Sequence, residues 1–192
     1  MRHTLHFVGQ MARHFRQTGA VVPSSSRLGR AMALALDPVP EAAVIVELGA
    51  GGGAVTSELL ALHPQARLIA IENNPSFAAR LRQRLPRVAV VEGCASDLSQ
   101  HLAELGIARH QLHAVVSGLP LLSLPEALVQ QLLAALRNTL LPTRLFVQFT
   151  YSGRAFGRLP LHGFRLERRQ RVWWNLPPAV VLRYARLADD AG

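Results

Sequence analysis

The chain has 192 residues, about half of them apolar, and carries a formal net charge of +9. This length supports one well-cored domain, and the apolar content excludes a disordered chain. No apolar run approaches the roughly 18–20 residues of a membrane-spanning helix, the first residues lack the apolar core of a secretory signal, and the lone Cys94 excludes a disulfide within the chain; a cytoplasmic protein is expected.

In chain order, the first 36 residues hold five arginines, three histidines and no acid. Placed on a helix at about 100° per residue, residues 2–17 separate into two faces. Leu5, Phe7, Val8, Met11, Ala12 and Phe15 fall on one, and Arg2, His3, His6, Gln10, Arg13, His14, Arg16 and Gln17 on the other. A basic amphipathic helix reads as a membrane-surface element; a helix packed on the domain is the plainer alternative. Ser24 to Ser26 and RLGRAMALAL predict a capped helix ending near Asp37-Pro38. AVIVEL (43–48) predicts a buried strand, Ala54 to His63 a helix, and RLIAIE (67–72) a second strand. Asn74 with Pro75 opens a helix to about Leu85. RVAVVE (87–92) and LHAVVSG (112–118) are strands three and four, with a helix between them. A helix near 125–140 leads to RLFVQFT (144–150), and two extended segments, about 164–173 and 179–187, follow. Strands alternating with helices predict an α/β fold: a doubly wound, mostly parallel seven-stranded sheet with helices on both faces.

All 21 basic residues are arginine, against 12 acids. Codon bias is one source of arginine without lysine. The excess charge favours polyanions all the same, either nucleic acid or an anionic lipid surface.

Strand one runs into E-L-G-A-G-G-G and then a helix, the phosphate or nucleoside turn of doubly wound folds. Dinucleotide enzymes space these glycines G-x-G-x-x-G. Here Gly49, Gly51 and Gly53 alternate, with Glu47 two residues before the first, where a pyrophosphate would be repelled. The pattern resembles motif I of the class I S-adenosylmethionine-dependent methyltransferases, whose ligand is a zwitterionic amino acid on a nucleoside. That resemblance implies Glu47, Gly49, Ala50, Gly51 and Gly53 around the cofactor. It also implies Glu72 at the end of strand two, with Asn73 beside it, accepting from both ribose hydroxyls. After strand three many relatives carry G-D-A, with Asp on the adenine amine. Cys94 takes that place, leaving Asp97 or the Ala95 N–H for the contact; Asp97 serves equally as the N-cap of the next helix.

Strand four ends in S-G-L-P-L-L (117–122). Amino-methylating members such as the adenine dimethyltransferases carry N-L-P-Y or N-P-P-Y there. Those motifs offer a side-chain oxygen and a backbone carbonyl to the acceptor nitrogen. Ser117 stands for Asn, Leu119 supplies the carbonyl region, and Leu121 replaces Tyr, so no aromatic remains there to stack on a flipped base.

Together GAVVPSSSRLGRAM (19–32), ELGAGGGAVT (47–56), SGLPLLSLP (117–125), VQFTYS (147–152) and VWWNLPPAVV (172–181) resemble the bacterial phospholipid N-methyltransferases over roughly residues 15–187. The resemblance implies stepwise methylation of phosphatidylethanolamine toward phosphatidylcholine, with S-adenosylmethionine as donor. It implies a docking helix at 1–18 and a methyltransferase domain at 19–192, in a monomer on the inner face of the cytoplasmic membrane. Arg2, Arg13, Phe15, Arg16 and Arg27 would meet the lipid, and Ser117, Leu119 and Tyr151 the acceptor amine. An aromatic face such as Tyr151 stabilises a methylated ammonium by about 0.5–2 kcal/mol. Eight of the eleven aromatics lie between Phe146 and Tyr184, the Trp173-Trp174 pair among them, and most of these read as core or hairpin packing. Arg154, Arg158, Arg165, Arg168, Arg169 and Arg171 either hold lipid phosphates or form a solvated strand face. The sequence presents no metal-ligand cluster, no nucleophilic triad and no histidine placed as a general base. Two alternatives stand beside this reading. A ribosomal RNA or DNA adenine N6-methyltransferase is favoured by charge but disfavoured by SGLP and by the lack of a target-recognition domain. The other is a non-catalytic membrane-binding module.

Overall fold

The computed structural model describes residues 26–151, 161–175 and 178–188. The basic arm with Arg2, Arg13, Phe15 and Arg16 lies outside these, as do Ser24, Ser25, Arg154 and Arg158. The elements in order are α1 (Ser26–Leu34), β1 (Val44–Leu48), α2 (Ala54–Leu62), β2 (Arg67–Glu72), α3 (Pro75–Arg84) and β3 (Ala89–Glu92). They continue with α4 (Leu98–Glu104), β4 (Leu112–Ser117), α5 (Glu126–Thr139), β5 (Leu145–Thr150), β6 (Phe164–Val172) and β7 (Ala179–Arg186).

The strands form one sheet in the order β3-β2-β1-β4-β5-β7-β6. The first five pair in parallel, and β7 runs antiparallel to both β5 and β6. The two-residue period of each strand divides its side chains between two cores. Ile45, Leu68, Ala70, Ala114, Val116 and Val147 pack against α1, α2 and α3. Val46, Leu48, Ile69, Ile71, Val115 and Phe146 pack against α4 and α5. Phe146 is fully buried, its ring centroid 5.8 Å from that of Phe164 and 6.1 Å from that of Tyr184. Such a ring is worth about 3–5 kcal/mol against alanine, so it fastens the C-terminal strands to the parallel sheet.

Local chemistry sets the helix starts. Asn74 Oδ1 accepts from the N–H groups of Ser76 and Phe77, with Pro75 in the first turn, as the sequence predicts. Asp97 precedes α4 but makes no capping bond with its side chain; its carboxylate accepts from the Ser96 hydroxyl at 3.3 Å. Among the described residues no helix is long and apolar enough to cross a membrane.

Candidate active site

The chain leaves β1 for α2 on one face of the sheet and leaves β4 for α5 on the other. Neighbouring strands whose connections diverge in this way open a crevice at their carboxyl ends. Both glycine-bearing turns lie there, and they interlock. The Gly118 N–H donates to the Leu48 carbonyl at 2.8 Å. A Cβ on Gly118 would stand 2.8 Å from the Gly49 oxygen, and one on Gly49 would stand 2.5 Å from Leu119 Cδ2. At Gly118 a side chain would meet fixed backbone, and at Gly49 the Leu119 side chain would have to move aside and the positive φ would strain any other residue.

Gly49, Gly51 and Gly53 have φ of 71°, 53° and 79°, the left-handed region that glycine enters without strain. The path leaves the outer side of the turn open, and nothing lies within 4 Å of a Cβ built on Gly52. Arg84, from the end of α3, donates to the Gly52 carbonyl at 2.8 Å and steadies the turn from outside. Ala50 is buried beneath it.

Glu72 joins the turn to β2. Its Oε2 accepts from Gly51 N–H and its Oε1 from Asn74 N–H, each at 2.8 Å. An ionised carboxylate has about four acceptor positions, so each oxygen keeps capacity for a further donor. Asn73 is half-buried alongside. The Glu72 carbonyl accepts from Gly93 N–H at 3.2 Å, which draws the segment after β3 to the same edge. There Cys94 Sγ lies 3.1 Å from Ser96 Oγ, Ala95 is half-buried, and Asp97 is exposed.

Glu47 stands in mid-strand between Ala70 and Val116 and is 1 % exposed. Burial pushes its carboxyl up to about 7. The nearby Glu72 carboxylate adds to the rise and Thr56 opposes it. Neither Glu47 Oε2 nor Thr56 Oγ1 reaches hydrogen-bonding geometry.

Ser117 is fully buried, and its Oγ accepts from Leu119 N–H at 3.3 Å. Opposite it in register on β5 is Gln148, also fully buried. Its Nε2 donates to the carbonyls of Leu119 and Phe149 at 2.9 and 2.8 Å, while Oε1 has no partner. Gln148 thus braces the SGLP turn, a role sequence reasoning missed; the signal was a lone amide inside the apolar run LFVQFT. Tyr151, just past β5, is 39 % exposed and meets Phe149 edge-on at 5.4 Å.

The tryptophan pair departs from expectation. Trp173 and Trp174 are 65 % and 81 % exposed, because they occupy the turn after β6 and not its inward register. Arg27, at the start of α1, reaches them through a 3.5 Å hydrogen bond from Nη1 to the Trp174 carbonyl. Of the six arginines predicted around this region, Arg165, Arg168, Arg169 and Arg171 are exposed on β6. Among the described residues no cluster of three His, Cys, Asp or Glu side chains could hold a metal ion.

No protein-family model matches the chain. An ornithine lipid N-methyltransferase of Singulisphaera acidiphila is 38% identical over 148 residues, which cover 75% of this chain and 76% of that protein. Among solved structures, the 1,6-didemethyltoxoflavin-N1-methyltransferase of Burkholderia thailandensis, crystallised with S-adenosylhomocysteine, superposes with a TM-score of 0.69 at 17% identity, covering 97% of this chain and 89% of that one. TrmN from Thermus thermophilus gives 0.67 at 18% identity, covering 83% of this chain and 48% of that one. The strand order and the glycine turn agree with these likenesses. The chain belongs to the class I S-adenosylmethionine-dependent methyltransferases, within the family of the Singulisphaera enzyme.

Proposed function

We propose that the chain methylates the amine of a membrane-lipid headgroup. The observation that carries this reading is the 38% identity to an ornithine lipid N-methyltransferase across three quarters of both chains. The open glycine turn and the spare acceptor capacity of Glu72 fit the donor. In this reading Glu72 takes the ribose hydroxyls, while Glu47, Gly49, Ala50, Gly51, Gly53 and Asn73 surround the amino-acid and ribose parts. Cys94, Ala95 and Ser117 border the adenine and the methyl-bearing end.

S-adenosylmethionine, when bound, supplies an electrophilic methyl group, and the chain supplies position. A lipid ammonium with a pKa of about 10 loses a proton before its lone pair can attack, and a dry site lowers that pKa. The Leu119 carbonyl, held in place by Gln148, then orients an N–H of the neutral amine. Ser117 acts beneath it by fixing the Leu119 amide, and the Tyr151 face receives the cation that forms.

Ornithine lipid and phosphatidylethanolamine both present a primary amine. The relative points to the first, and the resemblance in SGLPLLSLP and VQFTYS to the second. The basic arm at residues 2–17 docks on the anionic inner leaflet in the same reading and makes the protein peripheral. The test is purified protein with radiolabelled S-adenosylmethionine and vesicles containing one lipid or the other, resolved by thin-layer chromatography. Label in either lipid supports the reading and names the headgroup. Label in ribosomal RNA and in neither lipid overturns it.

A further inference from the structure

We infer that the Trp173-Trp174 turn is a membrane-interface anchor, set beside the acceptor site and separate from the N-terminal arm. This rests on the lipid reading above. Two adjacent indoles, 65 % and 81 % exposed, are costly to leave in water, and large apolar groups held out in this way mark an interaction surface. Two arginines also reach them. The Arg171 guanidinium lies 5.2 Å from the centre of the Trp173 ring, and Arg27 donates to the Trp174 carbonyl. At the other end of α1, Arg183 Nη1 donates to the carbonyls of Ala35 and Asp37 at 3.1 and 3.0 Å. The helix and the β6–β7 hairpin are thereby tied at both ends, and the turn is braced against the domain.

Position and charge identify the partner. β5 and β6 are each antiparallel to β7, so β6 leaves the sheet at the same edge as β5. Two strand spacings, roughly 10 Å, separate the end of β6 from that of β5, beside Tyr151. On β6, Arg165, Arg168, Arg169 and Arg171 are exposed, and the one acid among them, Glu167, is shared by Arg165 and Arg183. Indoles settle at the level of lipid headgroups, where one end meets hydrocarbon and the other water. Guanidinium groups around them bind anionic phosphates. An anionic bilayer surface satisfies both at once, and it places the acceptor edge against the headgroups that carry the amine.

Trp173 and Trp174 are the only tryptophans in the chain, so the emission of the intact protein reads this turn alone. The probe is vesicles of phosphatidylglycerol and phosphatidylcholine, which offer no primary amine and so test docking apart from methyl transfer. The expected result is a blue shift, protection from acrylamide, and quenching by bromine carried high on the acyl chains. Unchanged emission, whether or not the protein floats with the vesicles, overturns the anchor. A shift with single-stranded RNA but not with vesicles overturns it in favour of base stacking. The double variant Trp173→Ala, Trp174→Ala vacates no core position. It is expected to keep cofactor affinity and to lose vesicle partition by roughly tenfold or more; wild-type partition would refute the proposal. Quenched indoles with no lipid methylated would sink the substrate reading alone, and methylated lipid with silent indoles would sink the anchor alone.

Discussion

Replacing Glu47 by glutamine tests the electrostatics beneath the glycine turn. The carboxyl titrates at about 7 in the folded chain against an ordinary 4.5. Between those values the folded chain holds a proton that the unfolded chain has released, so stability is full below 4.5 and falls as pH rises through 7. The gap corresponds to about 3 kcal/mol, all of it removed in Glu47→Gln, whose amide keeps the shape of the protonated acid. At about 2–4 °C per kcal/mol for a chain of this size, the variant should melt some 6–12 °C above wild type at pH 8. The difference should shrink to roughly a quarter by pH 5 and close below 4.5. His113, whose pKa burial lowers, titrates in both proteins and cancels in the difference. Thermal unfolding of the two without cofactor, across pH 5 to 8, is the assay. A difference in melting temperature that stays constant with pH would refute the reasoning.

Glu72→Ala leaves Gly51 and Asn74 without their acceptor and removes the ribose partner. Bonds to a charged group are worth about 1.5–3 kcal/mol each, so calorimetric affinity for S-adenosylmethionine should fall roughly a hundredfold or more; an unchanged value would dismiss the assignment. Gly118→Ala drives a methyl to 2.8 Å from the Gly49 oxygen, so melting temperature and cofactor affinity should drop together, and wild-type behaviour in both would contradict the interlock. Gln148→Leu strips the donor from the Leu119 and Phe149 carbonyls, at about 1–3 kcal/mol each. Steady-state kinetics should then show kcat reduced more than cofactor affinity, and the reverse split would place Gln148 on the donor side. Tyr151→Ala should lower turnover on lipid vesicles with cofactor affinity kept; full activity would make this ring packing alone.

The parallel sheet was legible because its strands are short apolar runs, β-branched above all in β1, and because Asn74-Pro75 and the glycine turn punctuate the helices between them. Glu72 was legible as an acid closing such a run. Other features depend on register, which local pattern does not carry. LFVQFT reads as an apolar strand with one interruption, and the purpose of Gln148 appears only when pairing sets it opposite Ser117. The burial of Glu47, the main cause of its raised proton affinity, depends on the strands and helix packed around it, and the smaller effects of Thr56 and Glu72 also come from other elements. Trp173 and Trp174 mislead any reading by hydrophobicity, since the rule that apolar residues go inside gives no warning when a turn carries them out.

The order β5-β7-β6 bears on how the protein is made. β6 leaves the ribosome before β7, yet its sole partner in the sheet is β7, which must itself lie against β5. While translation proceeds, β1 to β5 have their neighbours to hand, and an arginine-rich strand ending in two indoles waits unpaired. The β6–β7 pairing is local and forms a hairpin by itself, but it joins the sheet only where β7 meets β5, so the tryptophan turn takes its place together with the last two strands. A chain ending before residue 179 would lack β7 and leave β6, with its arginines and its two indoles, without a neighbour in the sheet.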